Sequence, residues 1–159
     1  FVGLCIEAGG LITNFAFSLF KPEVIQNLYQ KLDLSEMYER SKSAYFIMYG
    51  FLLVIAILKA VLFYIVIILV HKIDLSKPFN SFVSRKITLI SYYTLSIGIL
   101  IVIARQSAES LLQRGFETDK LDQFWGDGQA FILMAAVIYV IAVIFKKGID
   151  IQNENDLTI

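Results

Sequence analysis

The feature that most constrains this chain is the run 44–70, in which Lys59 is the only charged side chain. An α-helix of this length is about 40 Å long, whereas the hydrocarbon core of a bilayer is about 30 Å thick. A helix in a water-soluble protein normally keeps one polar face, and this run has none. The run therefore predicts a transmembrane helix with enough surplus length for tilt or for a protruding end.

Composition supports a membrane protein and argues against several other classes. Hydrophobic residues make up 57% of the chain, and the mean hydropathy is +0.68. Soluble domains are usually no more than about half apolar. The formal net charge is zero, which provides no long-range attraction for nucleic acid. One cysteine and one histidine allow neither an internal disulfide nor a Cys/His metal cluster.

Three further stretches have the length and composition of membrane spans. Residues 1–20 carry one charge, Glu7, and residues 87–104 and 128–145 carry none. Helical periodicity after the 87–104 span continues up to Gly115, which suits the residue that follows a helix end. The chain opens inside an apolar run without an initiator methionine, so we expect an upstream segment and no cleaved signal peptide.

Two of the three connections between these spans have a distinctive composition. Residues 21–43 repeat apolar side chains at helical spacing after Pro22, which predicts a short amphipathic helix. We expect it to pack against the bundle; the alternative is a helix on the membrane surface. Residues 116–127 are acidic, and Phe124 and Trp125 near their end are typical of an interfacial aromatic anchor.

Four spans place both termini on one side of the membrane. The 71–86 loop carries four basic residues, and Lys146–Lys147 directly follow the last span. Basic residues on the other side are less dense, and because cytoplasmic loops are enriched in lysine and arginine, we predict a cytoplasmic 71–86 loop and 146–159 tail. Asn80 or Ser81 is suited to cap the helix after this loop. The predicted architecture is an all-α four-helix transmembrane bundle with a short amphipathic extracytoplasmic helix.

Glu7 and Lys59 are the two charges inside predicted spans. Measured from the surface that two antiparallel helices share, Glu7 lies about 20 Å deep and Lys59 about 24 Å deep. A single charge at such depth is costly, and ionisable side chains in membranes are normally paired. We therefore predict a buried Glu7–Lys59 ion pair. It either stabilises helix pairing, which we favour because no chain of acids accompanies it, or serves a proton relay or polar ligand site.

The sequence contains no catalytic motif. A histidine-based triad, a glycine-rich phosphate loop and an H-E-x-x-H motif are all missing, so we predict no enzymatic activity, cofactor or metal site. Arg105 and Glu109 are expected at a solvated helix end, where they pair weakly. Membrane lipid is an expected partner, because the basic 71–86 loop suits anionic headgroups at about 1 kcal/mol per basic residue.

Several stretches resemble the DUF2975 family of small bacterial membrane proteins. They are LSKPFN (75–80), QFWGDGQAFILMAAVIYVIAVIFKKG (123–148) and FKKGIDIQNENDLTI (145–159), and the ending ENDLT (154–158) is the most specific. The resemblance implies four transmembrane helices and no established enzymatic activity. Together with the charge pattern, it leads us to expect a protein of the bacterial inner membrane with both termini in the cytoplasm. Members are often encoded beside a small helix-turn-helix regulator of the Cro/C1 type.

By analogy, the resemblance implies a membrane protein that works with a cytoplasmic DNA-binding partner. The 71–86 loop and the 146–159 tail are the surfaces available to such a partner. The candidate contact residues lie on these two segments: Lys77, Pro78, Phe79, Asn80, Asn153, Glu154, Asn155, Asp156, Leu157 and Thr158. The alternative is a tail that folds back over the cytoplasmic end of the bundle.

Three function classes follow. The first is a non-enzymatic interaction protein, a membrane sensor or tether for a cytoplasmic regulator, without direct contact to nucleic acid. The second is an accessory subunit that offers apolar surface to other membrane subunits. The third, a small transporter or channel, is least favoured, because four helices enclose little room for a solute and only one charged pair is predicted among them.

Overall fold

The computed structural model describes residues 1–73 and 79–156, apart from the side chains of Pro22, Asn155 and Asp156. This part of the chain contains helices and no strand. The α-helices are α1 (Val2–Phe20), α2 (Ser35–Arg40), α3 (Lys42–Lys72), α4 (Ser81–Gln113) and α5 (Gly128–Asp156). Short 3₁₀ turns occupy Pro22–Asn27, Tyr29–Lys31 and Asp119–Leu121.

Four of the helices, α1, α3, α4 and α5, are long and apolar enough to cross a membrane. Large apolar side chains face outward on each of them, such as Phe63 on α3, Ile99 on α4 and Val140 on α5. An extended apolar surface is unfavourable in water, whereas in a bilayer it contacts hydrocarbon. The predicted all-α four-span architecture is confirmed, and the four spans indicate a multi-pass membrane protein.

The helices extend beyond the predicted spans. The span predicted over 87–104 is the central part of α4, and both ends of the loop predicted over 71–86 are helical, because α3 ends at Lys72 and α4 begins at Ser81. The tail predicted over 146–159 is helical up to Asp156, as the final part of α5. Hydropathy marks where a helix is apolar, whereas its ends depend on capping residues.

Capping residues set the two ends of α4 as predicted. The side-chain oxygen of Asn80 accepts a hydrogen bond from the Val83 amide at 2.9 Å, which satisfies one of the free amides in the first turn. Beyond the other end, Gly115 has a φ of +80°, a left-handed conformation that glycine adopts without steric cost.

The long helices pack in chain order, with α1 on α3, α3 on α4 and α4 on α5. The Tyr49 hydroxyl of α3 donates to the Leu11 carbonyl of α1 at 3.0 Å. Among the helices, α5 contacts only α4, and it begins beside Gly98 in the middle of α4. Over the described ranges, no Cα atom of α1 comes within 8 Å of one in α5. Thus α1 packs on α3, α5 packs on α4, and in this part of the chain α1 and α5 make no direct contact with each other.

The connection from α1 to α3 differs from the single amphipathic helix that was predicted. Residues 21–41 form two 3₁₀ turns and the short α2, with Gln30 and Lys31 at positive φ. A continuous helix over this segment would be about 32 Å long, whereas neighbouring helix axes lie only about 10 Å apart, so the chain must turn. We call the end of the bundle that this segment covers the capped end.

The periodicity of this segment nevertheless identified its buried side. Ile25, Leu28 and Leu32 are buried in the core, so the segment packs against the bundle, as preferred. Asp33 stabilises the start of α2, because its carboxylate accepts hydrogen bonds from the Ser35 amide at 3.0 Å and hydroxyl at 2.6 Å. These bonds lower the pKa of Asp33, and their contribution to stability is lost as the pH falls through that lowered pKa.

The backbones of α4 and α5 come close together at Gly98 and Gly128. A Cβ atom at Gly98 would lie 2.9 Å from the Gly128 carbonyl oxygen and 3.0 Å from the Ile132 amide nitrogen. Two turns before Gly98 in α4, the Ser91 hydroxyl donates to the Ala135 carbonyl at 2.9 Å. Small residues at a membrane helix crossing allow this backbone contact, and the interhelical hydrogen bond adds to it.

This crossing predicts opposite effects for two glycine-to-alanine substitutions. Gly98→Ala places a methyl group against backbone atoms of α5, so we expect a loss of about 1–3 kcal/mol, measured as earlier thermal unfolding in detergent. Gly50→Ala is the matched control, because its added Cβ meets no other described atom within 4 Å apart from the backbone of its own helix and its chain neighbours. Alanine favours a helix over glycine by about 0.5–1 kcal/mol, so the control should be neutral or stabilising. Equal shifts in both variants would contradict the crossing.

Candidate functional site

The charged side chain in the middle of α3 has a partner different from the one predicted. The Lys59 ammonium donates to the carbonyl oxygen of Phe124 at 3.3 Å. Within residues 1–73 and 79–156, Lys59 forms no ion pair with Glu7. The predicted Glu7–Lys59 contact is therefore replaced in this structure by a contact between a charge and a backbone dipole.

The reason is that Lys59 and Glu7 lie at similar levels but do not face each other. Tyr49 and Tyr64 mark the side of α3 that contacts the α1 segment. At about 100° per residue, Lys59 lies about 80° around the helix from Tyr49 and about 140° from Tyr64. A helical lysine also leans toward the N-terminus of its helix, here toward the capped end. The prediction compared only the depths of the two residues along their helices. Depth does not determine which side of the helix a side chain faces.

Residues 116–127 form a covering segment that runs from the capped end to the start of α5. Its apolar side chains, including Phe116, Leu121 and Phe124, are buried. Its acids are exposed: Glu117, Asp119, Asp122 and Asp127. Trp125 is only 6% exposed and packs in the core, so its predicted role as an interfacial anchor is wrong. Its position next to the span suggested the anchor, whereas the inward turn of the covering segment buries the ring.

Two cations fix the covering segment through backbone carbonyls, one just before the segment and one within it. The Arg40 guanidinium donates to the carbonyls of Arg114 at 2.8 Å and Gly115 at 2.6 Å, and it lies 4.5 Å from the Phe116 ring centroid. These carbonyls follow the C-terminus of α4, where the helix dipole favours a positive charge. Near the other end of the segment, the Lys59 ammonium donates to the Phe124 carbonyl.

Sequence reasoning missed Arg40 and the Phe124 carbonyl. Every residue has a backbone carbonyl, so an acceptor of this kind has no sequence signal; the only hint was the cost of leaving Lys59 unsatisfied. Arg105 and Glu109 are exposed and, with Asp127, line a polar groove of about 490 Å³. Their exposure agrees with the solvated helix end that was expected there.

The partner-binding candidates lie at the opposite end of the bundle, which we call the open end. Here α3 ends and α4 begins, and α5 continues beyond its apolar part. The Phe79 ring packs on Phe145 with centroids 5.2 Å apart, and a Cβ at Gly148 would come within 2.7 Å of it. Phe79 therefore contacts α5, and Asn80 caps the start of α4.

The other candidates belong to the tail or lie outside the described residues. Asn153 and Glu154 are exposed on the last turns of α5. The tail continues α5 up to Asp156, so over 146–156 it does not fold back across the open end. The candidates whose side chains lie outside the described residues are Lys77, Pro78, Asn155, Asp156, Leu157 and Thr158.

The family comparison identifies the group of proteins to which the chain belongs. A family model described as a protein of unknown function (DUF2975) matches residues 27–159. The chain belongs to the DUF2975 family. Neither the comparison with curated proteins nor the comparison with solved structures found a match.

The extent of the match shows which contacts fall in the DUF2975 region. Arg40, Lys59 and Phe124 lie inside the matched residues, whereas Glu7 precedes them. In this DUF2975 member, both cations that hold the covering segment, and the segment itself, are therefore part of the family region.

The contact between Lys59 and the covering segment can be tested by fluorescence, because Trp125 is the only tryptophan. Lys59→Met removes the donor to the carbonyl that precedes Trp125. We expect the segment to loosen, so that Trp125 emission shifts to longer wavelength and iodide quenches it more strongly. Lys21→Met, at an exposed position beyond α1, controls for the loss of a positive charge and should leave the emission unchanged.

A double-mutant cycle tests the same geometry against the predicted ion pair. Because Lys59 donates to the Phe124 carbonyl and does not contact Glu7, we expect the coupling energy between Glu7→Gln and Lys59→Met to stay within about 0.5 kcal/mol of zero. Thermal or denaturant unfolding in detergent provides the measurement. A coupling energy of several kcal/mol would show that Glu7 and Lys59 form an ion pair, which would contradict the structure.

Proposed function

We propose that this protein is a non-enzymatic membrane tether or sensor for a cytoplasmic helix-turn-helix regulator, which docks at the open end. The observation that carries this proposal is the tail of α5, which continues as a helix past Lys146–Lys147 to Asp156. Ile151 on this polar extension is 59% exposed. A helix with an exposed apolar side chain is the element that helix-in-groove recognition uses.

The distribution of charge supports a cytoplasmic open end. Exposed basic residues from three helices lie there, including Lys72 of α3, Arg85 of α4 and Lys146 of α5. The exposed apolar surface of α3 ends just before them, at Val70. Basic residues at this boundary favour the cytoplasmic side of the bacterial inner membrane. The acidic covering segment then faces the opposite side.

A regulator bound to this extension would be held at the membrane surface. Burial of one isoleucine contributes about 1.5–3 kcal/mol, which corresponds to about 10- to 100-fold in Kd. Asn153 and Glu154, two and three residues further along, provide polar groups around the apolar contact. The arrangement suits recruitment of a partner and requires no chemistry at the site.

The proposal is tested with the full protein in nanodiscs and a purified Cro/C1-type regulator of the kind often encoded beside members of the family. We expect Ile151→Ser to raise the Kd about 10- to 100-fold, because the apolar contact is lost. Ile151→Leu keeps an apolar side chain of the same volume and should retain binding. Deletion of residues 149–159 should abolish binding, and undiminished affinity after that deletion would exclude the tail as the docking site.

A second function, that of an accessory subunit of a larger membrane complex, is supported by the outer face of α5. Among the helices, α5 packs only against α4, and it exposes Leu133, Val137 and Ile144. Purification in a mild detergent distinguishes the two functions. An accessory subunit co-purifies with other membrane subunits in fixed proportion, also after deletion of 149–159, whereas a tether retains only the regulator.

A further inference from the structure

A groove between α4 and α5 opens onto the membrane-facing surface in the half of the bundle near the open end. It has a volume of about 340 Å³ and largely apolar walls. Tyr92 and Leu95 line it from α4, and Ala136 and Tyr139 line it from α5. The small side chain of Ala136 leaves the space that the larger residues enclose.

Two tyrosines lie together at this groove. The rings of Tyr92 and Tyr139 are 6.4 Å apart between centroids, and the side chains are 53% and 47% exposed. Each places a hydroxyl at a surface that is otherwise apolar, where a polar group without a hydrogen-bond partner is unfavourable. A ligand with an apolar chain and oxygen acceptors would contact the apolar walls and accept hydrogen bonds from the two hydroxyls.

Two basic residues continue the groove toward the open end. Arg85 lies seven residues before Tyr92, and Lys146 lies seven residues after Tyr139. Seven residues are about two helical turns, so each cation shares the face of its tyrosine at a distance of about 10 Å along the axis. Because α4 and α5 are antiparallel, both steps lead to the same end of the groove. Both cations are exposed.

We infer that this groove is a binding site for an anionic phospholipid. One acyl chain lies against Leu95 and Ala136, and the phosphate lies between Arg85 and Lys146. The two cations match the charge of the headgroup at the level where the apolar surface ends. A second copy of the chain is a poorer occupant, since a symmetric contact through this groove would bring the cations of both copies together.

The inference is tested by native mass spectrometry of the full protein, with phosphatidylglycerol and phosphatidylcholine of identical acyl chains. We expect retention of phosphatidylglycerol in preference to phosphatidylcholine. The double variant Arg85→Gln/Lys146→Gln should weaken phosphatidylglycerol binding about 10- to 30-fold. The control, Lys72→Gln/Lys147→Gln, removes the same charge from exposed positions off the groove and should retain binding.

A second pair of variants tests the apolar part of the site. Ala136→Phe fills the groove and should reduce lipid retention, whereas Val137→Phe alters an exposed neighbour that does not line the groove and should not. Thermal unfolding of each variant separates loss of the site from loss of the fold. Equal retention of both lipids, or equal losses in the double variant and its control, would overturn the inference. So would a dimer that Ala136→Phe dissociates, because the groove would then be a contact between copies.

Discussion

The backbone contact between α4 and α5 at Gly98 and Gly128 determines much of the remaining arrangement. It starts α5 beside the middle of α4, so α5 occupies only the half of the bundle near the open end. The connection from α4 to α5 must therefore run along α3 and α4 from the capped end to the middle of the bundle. The covering segment forms this connection, with its apolar side chains inward and its acids outward, since the interior beside these helices is apolar.

The position of the covering segment explains how a charge is tolerated in the middle of α3. Lys59 finds an acceptor in the Phe124 carbonyl, which is available because the segment is not a regular helix there. An ammonium group bound to a backbone dipole needs no acidic partner, so Glu7 is free to face elsewhere. The two ends of the molecule thus differ in kind: the capped end is held by contacts to carbonyls, whereas the open end exposes basic side chains and a helical extension.

Most of the fold was predictable from the sequence, and the candidate site was predictable only in part. The four spans, the Asn80 cap and the helix end before Gly115 follow from local composition and local hydrogen bonding. The buried side of the 21–41 segment also followed from its periodicity, although its path did not. Trp125 shows the limit, because an aromatic residue next to a span is compatible with an interfacial position or with the core.

By itself, the sequence determined that the chain lies in a membrane as four helices, because in lipid every backbone group must be satisfied within its own segment. It also determined where the basic residues and caps lie along the chain. Only the tertiary structure decided the offset of α5 along α4, the direction of Lys59 and the alignment of Arg85 with Lys146 along one groove. Those features depend on the rotation and offset of packed helices, which arise from side-chain contacts between distant segments and leave no mark on local composition.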